Sequence, residues 1–165
     1  MKIKFWGTRG SIGAGMTNDE LTTKLKKVLS KAGPDDIADQ ESIDRFIDNL
    51  PFIDKKTLGG NTSCLQAQFG DTMFVFDAGS GLRLLGSHLL HTHTPPFDFP
   101  VHIFLSHFHW DHIQGFPFFI PAFIPGNKIK FYSAIKDAYK LLARQQEASY
   151  FPVKFEEFGA DIEFI

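Results

Sequence analysis

The chain has 165 residues, 43% of them apolar, which is enough for one compact folded domain and gives no obvious second one. A formal net charge of -2, with no run of Lys or Arg, supplies no electrostatic footprint for nucleic acid or an anionic membrane, although a small phosphoester remains open. There is no apolar run long enough to span a bilayer, no cleavable hydrophobic leader and only one cysteine, Cys64, so the chain reads as soluble and cytoplasmic.

In chain order, Lys2 to Trp6 alternates polar and apolar as an opening strand and stops at Gly7. Arg9 to Gly13 is a turn-rich loop. Leu21, Leu25, Val28, Leu29 and Ala32 then recur at helical spacing, with Thr17 and Glu20 fitting a capping box and Gly33-Pro34 supplying a stop. Ile43, Phe46, Ile47 and Leu50 repeat the pattern before Pro51, so 17–50 is expected to be a helical insert, a lid in one reading. Ser63 to Phe69 and Met73 to Asp77 are two strand-like runs joined at Gly70-Asp71, as a hairpin would be. Leu82 to Leu90 predicts a helix, and His91 to Pro100 a polar loop. Val101 to Leu105 has the short apolar signature of a buried strand and delivers the chain into Ser106 to His112. Gly115 to Gly126, broken by prolines, predicts a packed loop with at most a short helix. Lys128 to Tyr132 predicts a strand, Ala134 to Glu147 a helix, and Asp161 to Ile165 a last strand. Strands flanked by helices make the fold class mixed α/β or α+β, built in layers.

The chemistry concentrates in Ser-His-Phe-His-Trp-Asp-His, where His107, His109, Asp111 and His112 put four potential ligands within six residues. Side chains two apart share a face, so His107 and His109 can reach one metal ion. Asp111 and His112 are adjacent, and on a chain turning into a helix they can approach a second ion from one corner. Two such ions activate water without any nucleophilic side chain. Asp77, which ends a strand-like run before Gly79, can accept a hydrogen bond from a ligating imidazole and fix its tautomer. An Asx turn or the cap of the following helix explains Asp77 equally well. Turn chemistry accounts for Asn61 and Thr62, and Cys64 reads as a small buried residue. His88, His91, His93 and His102 read as structural or solvated. Phe108, Trp110, Phe116, Phe118 and Phe119 read as packing around the metal loop, with a substrate-pocket lining as the alternative.

A His-x-His-x-Asp-His run after a hydrophobic strand resembles the metal-binding motif of the metallo-β-lactamase fold superfamily. Four further stretches resemble its cytoplasmic metallohydrolase branch, akin to small cyclic-phosphodiesterase and ribonuclease Z type proteins: Phe5 to Ile12 (FWGTRGSI), Gly59 to Cys64 (GGNTSC), Asp77 to Arg83 (DAGSGLR) and Gln114 to Phe119 (QGFPFF). The resemblance implies the N-terminal part of an αββα sandwich, a mixed sheet with flanking helices. It also implies two divalent ions, zinc or else manganese, with His107 and His109 on the first and Asp111 and His112 on the second. Asp111 or a bound hydroxide would take part in the hydrolytic step, and Asp77 would lie beside the site as an orienting residue.

The function so implied is a metal-dependent hydrolase, a phosphodiesterase acting on a small-molecule substrate, with a homodimer admitted as a protein partner. The alternatives are a thioester or lactam hydrolase of the same fold, and a non-catalytic metal-binding or interaction domain. A di-iron redox role fits less well, because a carboxylate at position 109 would suit iron better than His109 does. The family pattern goes on to supply a later His, a bridging Asp and a final His. After His112 this chain has no histidine, and its later aspartates are Asp137 and Asp161. The expectation is therefore the N-terminal half of a longer protein with its site incomplete, or else a chain that has lost its second half.

Overall fold

The computed structural model describes residues 1–57 and 59–165. They divide into two compact units, one made of 1–13 with 61–165 and the other of 14–60.

The larger unit is built on a six-stranded sheet whose spatial order follows the chain: β1 (Lys2–Gly7), β2 (Cys64–Phe69), β3 (Thr72–Phe76), β4 (Val101–Phe104), β5 (Lys128–Tyr132) and β6 (Asp161–Phe164). β1, β2 and β3 run antiparallel, and β2 and β3 form the hairpin expected at Gly70-Asp71, with Gly70 in the left-handed conformation such a tight turn requires. From β3 onward the strands are parallel. Parallel neighbours need a crossover, and a helix, labelled α4 (Gly81–Thr92), provides the first one. The fold is thus α+β with a mixed sheet and helices.

One face of the sheet carries the core. Val75, Ile103, Ile129 and Phe131 point into it, almost wholly buried, and Leu82, Leu85 and Leu89, spaced along one stripe of α4, join them in the same cluster. Burying side chains of this size contributes roughly 1.5 to 3 kcal/mol each relative to exposure, so this layer dominates the stability of the unit. Phe116 and Phe119 are completely buried there, which settles them as packing residues, whereas Trp110 and Phe118 remain exposed.

The smaller unit holds α1 (Asn18–Leu29), α2 (Gln40–Asn49) and a short α3 (Phe52–Lys55). The Thr17–Glu20 capping box is formed in both directions. Asp54, at 4% exposure, is clamped between Lys27 (2.6 Å) and Lys31 of α1, which ties α3 to that helix. The hydrogen bond from Lys27, followed by that from Lys31, holds the Asp54 carboxyl below its ordinary value.

Two expected boundaries move. The helix expected over 134–147 is only α6 (Ala138–Arg144), because Asp137 adopts a left-handed φ of 60° and the Ser133 hydroxyl accepts from the Ile135 N–H in a local turn. The loop expected from His91 instead begins after α4 ends at Thr92. There His91 Nδ1 lies 2.6 Å from Ser87 O, and the Thr92 hydroxyl donates to His88 O at 2.8 Å. Among the described residues no helix is long and apolar enough to cross a membrane.

Candidate metal centre

The parallel strands β3 and β4 end side by side, and the residues that follow them form the site. Asp77 follows β3, and Ser106 to His112 follow β4. The crevice beyond the carboxyl ends of parallel strands is where open sheets with helical crossovers bind ligands. The segment is turned back by α5 (Trp110–Ile113), a single turn that brings Asp111 and His112 round. His112 O accepts from the Ala78 N–H at 2.7 Å, and Ala78 O accepts from the Gly115 N–H at 2.8 Å, so the C-terminal side of the turn is fastened to the Asp77 loop. Close approach makes this possible: a Cβ on Gly79 would stand 2.3 Å from Asp111 O, and one on Gly115 would stand 1.9 Å from Gly79 O.

Asn61 and Thr62 act in the same knot. Thr62 is fully buried, its hydroxyl accepts from the Ser80 N–H (2.8 Å) and from Gln114 (3.1 Å), and Asn61 O accepts the N–H groups of Thr8 and Arg9. Turn chemistry accounts for these residues, as the sequence suggests, although it does not foretell how many loops they join. Cys64 is buried and its thiol is pushed up to about 12, by burial first and by the Asp77 charge second. At neutral pH it is a protonated packing residue rather than a thiolate ligand.

The three imidazoles crowd together. The His107 ring lies 4.0 Å from that of His112 and 4.5 Å from that of His109, between centroids. His107 is thus central, neighbour to both of the other histidines. Asp111 Oδ2 stands 3.4 Å from His112 Nε2 and is held from the opposite side by the Ser11 N–H at 2.8 Å. That hydrogen bond is the main reason its carboxyl titrates below the ordinary value. Ser11 reaches it from a left-handed φ of 61°, uncommon for serine, which links the Arg9–Gly13 loop to the site. Nothing in the local sequence signals that contact.

Asp77 organises the cluster. Its Oδ2 accepts from His112 Nδ1 at 2.8 Å and from the Ser63 hydroxyl at 3.2 Å. Its Oδ1 accepts from the Ser106 N–H at 2.9 Å and the Ser106 hydroxyl at 2.7 Å. Burial raises the Asp77 carboxyl, but the two Ser106 hydrogen bonds and His112 outweigh it and leave the group below its ordinary value.

Proton placement follows. The Ser106 hydroxyl spends its one proton on Asp77, so at 3.0 Å from His107 Nδ1 it must accept, and Nδ1 of His107 carries a hydrogen. A carboxylate can only accept, so Nδ1 of His112 carries one too. In the neutral rings both Nε2 atoms are then lone-pair donors. The Nε2 of His112 meets a carboxylate oxygen at 3.4 Å, an acceptor facing an acceptor, an arrangement that a proton or a metal cation reconciles.

Imidazole nitrogens with carboxylate oxygen make a donor set suited to zinc-like divalent ions. The set is partial, because among the described residues no group of three or more His, Cys, Asp or Glu side chains is arranged to hold an ion. His102 lies apart from it, stacked on Tyr132 with its Nδ1 2.9 Å from the Tyr132 hydroxyl. No protein-family model, no curated protein and no solved structure matches the chain.

Proposed function

We propose that the chain is a metal-dependent hydrolase, acting on small phosphodiesters, that uses divalent ions held by His107, His109, Asp111 and His112. The observation that carries the reading is the Asp77 network. One carboxylate, directly to His112 and through Ser106 to His107, fixes the tautomer that leaves both Nε2 lone pairs available. Orientation of imidazoles by a carboxylate is the usual companion of metal ligation. The motif resemblance to the metallo-β-lactamase fold superfamily agrees with it and suggests two ions, zinc or else manganese.

An ion bound there supplies Lewis acidity for activating water and polarising a phosphoryl oxygen. The chain's own residues do the rest. His107 and His112 present lone pairs at fixed positions, His109 packs its ring edge-on to His107, and Asp111 offers an oxygen that Ser11 keeps ionised and oriented. As an ionised carboxylate beside the reacting centre, Asp111 can take part in the hydrolytic step as a proton acceptor. No serine or cysteine nucleophile is needed, in keeping with the protonated, buried Cys64.

The test is metal content after chelation and reloading, with turnover of a bis-aryl and a cyclic phosphodiester measured beside a thioester and a β-lactam. Zinc or manganese is expected to bind and to support phosphodiester cleavage that the double variant His107→Ala, His109→Ala lacks. Binding without turnover on any of these substrates favours the second reading, a non-catalytic metal-binding domain, for which the partial donor set speaks. Unchanged metal uptake in the double variant would remove both.

A further inference from the structure

Away from the metal loop, α6 and the 3-10 turn Phe155–Glu157 wall a cleft of about 580 Å³. Clefts of roughly 300 to 1,000 Å³ are the size that takes small molecules. The local sequence explains why space is left there. Leu142 is the residue of α6 that enters the core, wholly buried. Tyr139, Ala143 and Gln146, spaced by four and then three, share the neighbouring stripe and line the cleft. The middle one is alanine, so the cleft stands where a longer side chain would lie. The Gln146 N–H carries the coil one bond past Arg144 by donating to Ala143 O at 2.8 Å. Phe155, 7% exposed, forms the opposite wall, edge-on to Tyr139 at 5.3 Å and tilted against the buried Phe116 at 5.7 Å.

One hydrogen-bonding group of the wall has nothing to bond. Gln146 is 1% exposed, and its Nε2 donates to Val153 O at 3.2 Å, while its buried Oε1 has no partner. Val153 does not line the cleft, so the nitrogen side of the amide faces away and the oxygen side is the one an occupant reaches. Buried carbonyls are nearly always paired, and one left unpaired is costly. The rim is cationic, with Lys140, Arg144 and Lys154 against Glu147 and Glu156. Arg144 Nε lies 3.9 Å from Glu147, and Lys140 leans at 3.2 Å on Asp137, outside the cleft. Both are exposed pairs of the kind that contribute little. Glu156 is engaged by the Tyr139 hydroxyl, which donates to it at 2.7 Å.

We propose that this cleft binds a small aromatic carboxylate that carries a hydroxyl at the end remote from the carboxylate. The hydroxyl donates to Gln146 Oε1, the ring lies against Ala143 and Phe155, and the carboxylate meets the cationic rim. Each part of the ligand answers one feature of the site. An unpartnered acceptor calls for a donor, and a wall of Phe155, Tyr139 and Ala143 favours a flat apolar body. Three cations against two carboxylates, one of them already engaged, favour an anion over an amine. An ordered water is the competing partner for Oε1, and a ring with and without its hydroxyl separates the two. The inference is independent of the metal site and of the hydrolase reading.

The experiment is an NMR titration of the purified, isotope-labelled full chain with para-hydroxyphenylacetate, beside phenylacetate and tyramine as matched probes. Saturable shifts are expected in the amides of α6, the Phe155–Glu157 turn and the Gln146 side chain. Phenylacetate lacks the donor and is expected to bind about 2- to 10-fold more weakly, the contribution of one hydrogen bond. Tyramine has a cation in place of the carboxylate and is expected not to bind. Ala143→Leu is expected to abolish binding by filling the cleft, with the circular dichroism spectrum unchanged. Lys154→Glu, at an exposed position of the rim, is expected to weaken para-hydroxyphenylacetate and to narrow its advantage over tyramine. Should Ala143→Leu unfold the chain, Lys154→Glu carries the test, and undiminished affinity in it overturns the proposal. So would the absence of saturable shifts, equal affinity for the two ring acids, tyramine binding as well as they do, or shifts that persist in a folded Ala143→Leu.

Discussion

Asp77 accepts four hydrogen bonds from a backbone conformation that an L-residue enters at a cost, with φ at 60°. Aspartate and asparagine are the non-glycine residues that tolerate the left-handed region best, so Asp77→Asn should keep the loop. Its chemistry would change. With the amide oxygen retained by the two Ser106 donors, the amide NH2 faces His112 Nδ1, which must then accept, and the ring proton moves to Nε2. Zinc titration should show affinity falling by about 10- to 100-fold with folding unaltered. Ser106→Ala should lose less, since it severs only the relay to His107. Equal affinity in wild type and Asp77→Asn would separate Asp77 from any role toward metal. The sequence places Asp77 only between an orienting carboxylate and a turn residue. The Ser106 relay and the Ser11 contact join positions 29 and 100 residues apart, and no local spacing records such a pairing.

Elements were legible where a chemical signal sits at the boundary. The Thr17–Glu20 box marked the start of α1, and the hydroxyl of Thr17 accepts from the Glu20 N–H at 3.2 Å. Thr17→Ala should therefore cost about 1 kcal/mol by chemical denaturation, as lost N-caps do. A loss near zero would mean that the helix start is held by other contacts. The hairpin at Gly70 and the strands β4 and β5 were equally plain from alternation and turn residues. The end of α4 and the extent of α6 were not, because side-chain bonds back to helical carbonyls and a left-handed aspartate leave no periodic trace.

Nothing in the sequence singles out Asp54, since a buried carboxylate in a four-residue helix looks like any surface acid until Lys27 and Lys31 stand beside it. Its folded pKa lies below 3.8, so the unfolded chain takes up the proton first. The clamp therefore contributes fully above about pH 4 and is lost as pH falls through the folded value. Acid titration of helical signal in wild type and Asp54→Asn tests this. The variant should be weaker at neutral pH and should lack that part of the acid transition.

The two faces of the sheet set the stability of the whole molecule in different ways. Phe131 is 1% exposed, with Phe116 at 4.9 Å and Phe164 at 5.0 Å, so Phe131→Ala opens a cavity in a closed layer. It should cost about 3 to 5 kcal/mol. Phe104 lies on the same sheet with its ring between Phe76 and Tyr132, but on the opposite face, where it is only partly buried. Phe104→Ala removes less buried surface and should cost less. Urea midpoints for wild type and the two variants test this, and equal deficits would mean that the two faces are closed to the same degree.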